Sequence, residues 1–207
     1  MTETRFEKME IKNWENFVKF VNETDTKVPP KRGFVYRGQS DEKYDLQPSF
    51  NRHFGSLKFK PEILLDIERV AQEKFKTQAH LYISTNLIRH TITVMDWWML
   101  MQHHQAPTRL LDWTESAYVA AYHACEGGHG KNGAVWLLHG GYLEKKMKEL
   151  DDYDGFPSDI DRVNDHFLSH DTSKIIYMAN ASFKTDRMLA QQGLFSVCKD
   201  ISGNQHK

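Results

Sequence analysis

A period of two fits Phe34-Val35-Tyr36-Arg37-Gly38-Gln39. It predicts a strand with Val35, Arg37 and Gln39 on one face and Phe34, Tyr36 and Gly38 on the other. Most of the remaining chain is patterned at helical spacing. Trp14, Phe17, Val18, Phe20 and Val21 form a stripe behind an opening strand or arm, and Pro29-Pro30 followed by Lys31-Arg32-Gly33 ends it. Pro61 opens a strong helix carrying Ile63, Leu64, Ile67, Val70, Ala71 and Phe75, and a second helical region covers about 78–90. A third helix, Thr93 to His104, is apolar on nearly every side through Met95, Trp97, Trp98, Leu100 and Met101, which marks it as the central buried one. Residues 40–56 read as an irregular excursion.

Pro107 stops the third helix, and Arg109 to Trp113 reads as a short buried strand. Thr114 is the predicted N-cap of the next helix, with Glu115 in its first turn. Ala117, Ala120, Ala121 and Ala124 give that helix a small-residue stripe that lets another backbone approach, so it should be clamped against the sheet. Ala134 to His139 and Lys174 to Ala179 read as strands, with a polar stretch of surface helix and loop over 141–172 between them. A short helix from Thr185 or Asp186 to Gln192, a left-handed cap at Gly193 and a last strand from Leu194 to Cys198 complete the pattern. The class is α+β: a single domain with a mixed or antiparallel sheet and a bundle of helices inserted between early and late strands. An N-terminal arm and helix (1–32) precede the domain proper (33–207).

Composition removes several functions. The 207 residues carry 27 Lys+Arg against 28 Asp+Glu, a net charge of -1 that argues against binding nucleic acid chiefly by bulk charge. Two cysteines cannot build a disulfide scaffold, and neither a signal peptide nor a run of roughly 20 apolar residues is present, so the expected setting is cytoplasmic with no membrane partner. No phosphate loop, dinucleotide fingerprint, nucleophile elbow or zincin helix occurs. The adjacent His103 and His104 would point about 100° apart on a helix, so no metal is expected, and one of them instead fixes a loop or contacts a ligand.

Three polar groupings remain. Arg37 lies beside Gly38, which admits close approach to the backbone, and shares a face with Gln39, an arrangement suited to a phosphate or carboxylate. Arg109, Asp112 and Thr114 sit in an apolar run, where the plain alternative is an Arg109/Asp112 or Arg37/Asp112 structural ion pair. Arg187 and Gln191 stand one helical turn apart before Gly193.

These same residues resemble the FRG domain family, named for an aromatic-Arg-Gly motif, here Tyr36-Arg37-Gly38-Gln39. The block from Gln102 through Pro107 to Thr114 is similar to the family's long signature, with Gln105 where the family usually has Gly. Arg187, Gln191, Gly193 and Phe195 are similar to its closing block. Little follows Phe195, so the resemblance implies a domain cut short at its C-terminus or a variant lacking that part. Remotely, the layout is similar to an ADP-ribosyltransferase-type split sheet. That likeness implies NAD as a candidate substrate and no metal. Arg37, Asp112 and Gln191 would take catalytic positions, with Arg37 on the pyrophosphate or ribose. Tyr36, Gly38, Gln39, His103, His104, Arg109 and Arg187 would contact ligand, and Thr114 and Ser116 would shape the nicotinamide pocket. Gln191 or Gln192 would stand where transferases place a catalytic Glu; glutamine cannot act as a general base, so a carboxylate such as Asp112 would supply the charge, or the domain binds a nucleotide without turnover. The expected partners are a nucleotide and a nucleic-acid or protein acceptor. The alternatives are a nucleic-acid module or nuclease in bacterial or phage defence, and a non-catalytic binding domain with a buried polar network.

Overall fold

Residues 7–25, 33–127, 130–150, 153, 155–157, 159–169, 173–180 and 192–202 are described by the structure, a computed structural model. Strands β1 (Phe34–Gln39), β2 (Leu110–Thr114), β3 (Ala134–His139), β4 (Ile176–Ala179) and β5 (Gly193–Cys198) form one sheet in the order β3-β1-β2-β5-β4. Every neighbouring pair is antiparallel, which decides between the two predicted kinds of α+β sheet. The described helices are α1 (Trp14–Asp25), α2 (Ser49–Phe54), α3 (Pro61–Ala79), α4 (Thr85–His90), α5 (Val94–His103), α6 (Ala117–Cys125), α7 (Gly140–Lys148) and α8 (Ile160–Leu168).

Register decides which side chains share a face. Leu110, Asp112 and Thr114 of β2 lie opposite Val197, Phe195 and Gly193 of β5, and Thr114 also pairs with Tyr36 of β1. Two groups of helices cover this face. Over one end, Phe17 and Val21 of α1 and Ala117, Ala120 and Ala121 of α6 pack on Tyr36. Over the other, Met95, Trp98 and Met99 of α5 and Val163 and Phe167 of α8 pack on Leu110, Phe195, Val197 and Tyr177. The reverse face gathers Val35, Leu111 and Trp113 around Leu46 from the segment after β1.

The small-residue stripe of α6 does what its spacing predicts. Ala120 is fully buried, and a Cβ built on Gly38 would fall 2.7 Å from the Ala124 amide nitrogen and closer still to the Ala120 carbonyl oxygen. Gly133, just before β3, meets the Ala124 backbone in the same way. Helix α5 is the buried one, with Trp98 and Leu100 at 0% exposure, and starts with a capping box between Thr93 and Asp96.

Several local expectations change. The excursion over 40–56 contains α2. Ser116 rather than Thr114 caps α6, accepting from the Val119 amide, and Thr114 ends β2. The polar stretch 141–172 is not all surface, since α8 sends Val163 and Phe167 into the core through an amphipathic pattern hidden among aspartates. The left-handed residue before the last strand is Gln192, with φ 49°, while Gly193 is already in β5. The helix predicted to end at Gln192 falls on residues 181–191, outside those described.

Candidate functional site

Between α5 and α6, at the β1–β2 seam and lined by residues of both faces of the sheet, lies a cleft of about 940 Å³, within the usual range for small-molecule sites. α5 contributes Met99, Gln102 and His103, and α6 contributes Val119 and His123, with Glu126 just beyond its end. Its floor is β2 and the start of β5. Asp112 is the exposed member of an otherwise buried strand, its side chain 61% accessible.

β1 and β2 meet at a single residue pair, Tyr36 with Thr114, whereas β1 pairs with β3 along its whole length. Where the β1–β2 ladder stops, a side chain takes over. Arg37 Nη1 donates to the Asp112 carbonyl at 2.8 Å and stands 3.9 Å from the Asp112 carboxylate. Its Nε is buried without a hydrogen-bond partner among the described residues, a state that costs free energy unless something fills it. Burial pulls the Arg37 guanidinium below the usual arginine pKa; Asp112 opposes that shift and nearby Arg52 adds to it.

Tyr36, Arg37, Gly38, Gln39, His103, Asp112 and Thr114 all border the cleft, some with little to offer it. Tyr36 is 3% exposed in the core under α1 and α6. Gly38 is occupied on its open side by the α6 backbone, so helix packing explains the glycine without a ligand. Gln39 spends both ends of its amide, Nε2 on the Asp45 carbonyl at 3.1 Å and Oε1 on Trp136 Nε1. Thr114 Oγ1 accepts the Ser116 amide at 3.0 Å, and Ser116 itself is used as a helix cap away from the cleft lining.

Arg109 and His104 lie elsewhere. The Arg109 side chain is 2% exposed and clasped by Glu68 of α3: Nε donates to both carboxylate oxygens at 2.9 and 3.1 Å, and Nη2 to Oε2. Nη1 and Nη2 also reach the Lys199 and Phe167 carbonyls, and the guanidinium lies 4.6 Å from the Trp98 ring centre. The anticipated Arg109/Asp112 pair is therefore an Arg109/Glu68 pair, and the Arg37/Asp112 contact is chiefly to a carbonyl. His104 leans on Phe75 of α3. Arg187 and Gln191 lie outside the described residues. No group of three or more His, Cys, Asp or Glu fit to hold a metal occurs among the described residues, and none of the described helices is long and apolar enough to cross a membrane.

The cleft also holds His123, together with Lys43, Asp45, Arg52 and Glu126, which the sequence pattern did not single out. His123 Nδ1 sits 3.4 Å from Glu126 Oε2. Only the i,i+3 spacing of His123 and Glu126 was readable in advance; Arg52 belonged to a stretch without periodicity.

Much of the signature block builds the loop beside the cleft. Thr108, fully buried, donates its hydroxyl to Gln102 Oε1, and its amide and carbonyl bond the Ser49 hydroxyl and the Phe50 amide at the start of α2. Gln105 in this loop has φ 63°, a conformation glycine adopts freely and other residues hold at a cost of about 1 kcal/mol. Gln105→Gly is therefore expected to raise the melting temperature by about 2–4 °C; an unchanged or lower value in thermal denaturation would show that the Gln105 side chain repays the strain.

Residues 32–133 match the family model of the FRG domain. The match takes in β1, α2 to α6 and β2, hence Arg37, Arg52, His103 and Asp112, while β3, β4 and β5 lie beyond it. No curated protein matches the chain, and no solved structure does.

Proposed function

The chain carries an FRG domain, and from that premise we propose that the cleft binds a nucleotide of the NAD type, as an ADP-ribosyltransferase-like or NAD glycohydrolase site. The observation that carries this reading is Arg37: a guanidinium inserted where the β1–β2 ladder ends, anchored by one nitrogen, with a buried Nε unpartnered among the described residues. A phosphate oxygen would satisfy that donor, and the cleft volume suits a ligand larger than a single phosphate.

Asp112 supplies the second half of the argument. Its carboxylate is solvent-facing beside the Arg37 guanidinium. In a glycohydrolase, the bond between the ribose carbon and nicotinamide breaks as water adds to that carbon and gives its proton to solvent. Positive charge develops on the ribose in between, and a carboxylate at the cleft floor would stabilise it.

Isothermal titration of the intact protein with NAD, ADP-ribose and nicotinamide tests the binding step. Wild type is expected to bind NAD and ADP-ribose, and Arg37→Ala to bind both at least about tenfold more weakly, the share of a charge-assisted hydrogen bond. Since Arg37 also ties β1 to Asp112, the melting curve of each variant belongs with the titration. Nicotinamide release tests turnover, and Asp112→Asn is expected to slow it with little effect on ADP-ribose affinity. Absence of binding by wild type, or unchanged binding by a folded Arg37→Ala protein, removes the nucleotide reading.

A further inference from the structure

We propose that Arg52 joins Arg37 in a two-guanidinium subsite that grips the pyrophosphate of a nucleotide in the cleft. The inference rests on the nucleotide reading and adds to it a residue outside the motif that suggested it. An exposed arginine on a six-residue helix is ordinarily a solvated surface group. Arg52 differs in how its helix is held and in what its guanidinium lacks.

Helix α2 is fastened through the three residues that precede Arg52. Ser49 and Phe50 bond Thr108 in the loop before β2, and Asn51 Nδ2 donates to the Ile201 carbonyl at 2.8 Å. Phe50, 1% exposed, packs with Leu64 and Ile201. Arg52 Nη1 then donates to the Gln47 carbonyl at 2.6 Å, which fixes the guanidinium at the cleft edge. This side chain makes no ion pair among the described residues.

Arg37 and Arg52 thus share one design. Each is anchored through Nη1 to a backbone carbonyl, at Asp112 and Gln47 respectively, which orients the guanidinium; Arg37 also stands 3.9 Å from the Asp112 carboxylate, which offsets part of its charge. Both line one cleft, and Arg52 lies near enough to lower the proton affinity of Arg37. Like charges brought together on rigid elements repel, which an anion between them would relieve. A pyrophosphate diester carries two negative charges on adjacent phosphates, a match in number for two guanidinium forks. Lys43 lines the same cleft and adds a third cation.

The test is isothermal titration of the intact protein with inorganic pyrophosphate, ADP-ribose and NAD, using wild type, Arg52→Ala, Arg52→Lys and Arg69→Ala. Arg69, paired with Asp66 on the surface of α3, controls for loss of one positive charge. Arg52→Ala is expected to weaken pyrophosphate and ADP-ribose about tenfold or more, Arg52→Lys to recover part of the loss, and Arg69→Ala to match wild type. Nucleotide binding that ignores Arg52→Ala overturns the subsite and leaves the nucleotide reading standing. Pyrophosphate binding that depends on Arg52, with no binding of NAD or ADP-ribose, supports the anion subsite and overturns the nucleotide reading. An equal loss in Arg69→Ala overturns the subsite by reducing the effect to net charge.

Discussion

Glu68→Ala is expected to lower the stability of the protein by about 3–5 kcal/mol, the cost of leaving one member of a buried ion pair uncompensated. For a chain of this size that is a fall of about 6–20 °C in melting temperature. Arg109 has no water to turn to, since its side chain and that of Glu68 are 2% and 3% exposed. The double variant Glu68→Leu with Arg109→Met is expected to be more stable than either single change, because apolar groups of similar volume remove the charge and its desolvation cost together. The same double variant separates structure from site: with Arg109 outside the cleft, ADP-ribose affinity should stay at the wild-type value. Were Arg109 a ligand-binding residue, Glu68→Ala would melt almost normally and the double variant would fail to bind.

Gly38→Ala is expected to cost about 3 kcal/mol, at the upper end for overpacking. Its new methyl would meet backbone atoms of Ala120 and Ala124, and a helix backbone cannot rotate aside as a flexible side chain can. Relief requires α6 to lift, which uncovers Tyr36 and disturbs Val119 and His123 at the cleft wall. Thermal denaturation without ligand reads the effect directly. A normal melting curve combined with lost ligand binding would return Gly38 to the role of a ligand-contacting glycine.

These two sites show where the sequence was informative. The alternation in β1, the apolar girth of α5 and the alanine stripe of α6 are local patterns, each set by the period of one element, and each emerges in the fold as spaced. The partner of Arg109 is 41 positions away on α3, and no periodicity links a helix surface to a strand residue it will meet. Asp112, three residues off in sequence, was the nearer guess, yet β2 turns it to the cleft. Arg52 was invisible for a related reason: α2 is too short to show a stripe, and what orients it is a set of hydrogen bonds to residues 108 and 201. Arg37 was legible because a charged residue in a strand whose neighbours are buried stands out against its surroundings.

The single Tyr36–Thr114 pair gives the sheet a mechanical character. On one side of it β3 and β1 form a ribbon, on the other β2, β5 and β4 form a second, and the seam between them is closed at one rung and by the Arg37 bond to Asp112. The group that would grip a phosphate is thus also a fastener of that seam. A ligand held by Arg37 would therefore act directly on the joint between the two ribbons, which α6 also covers.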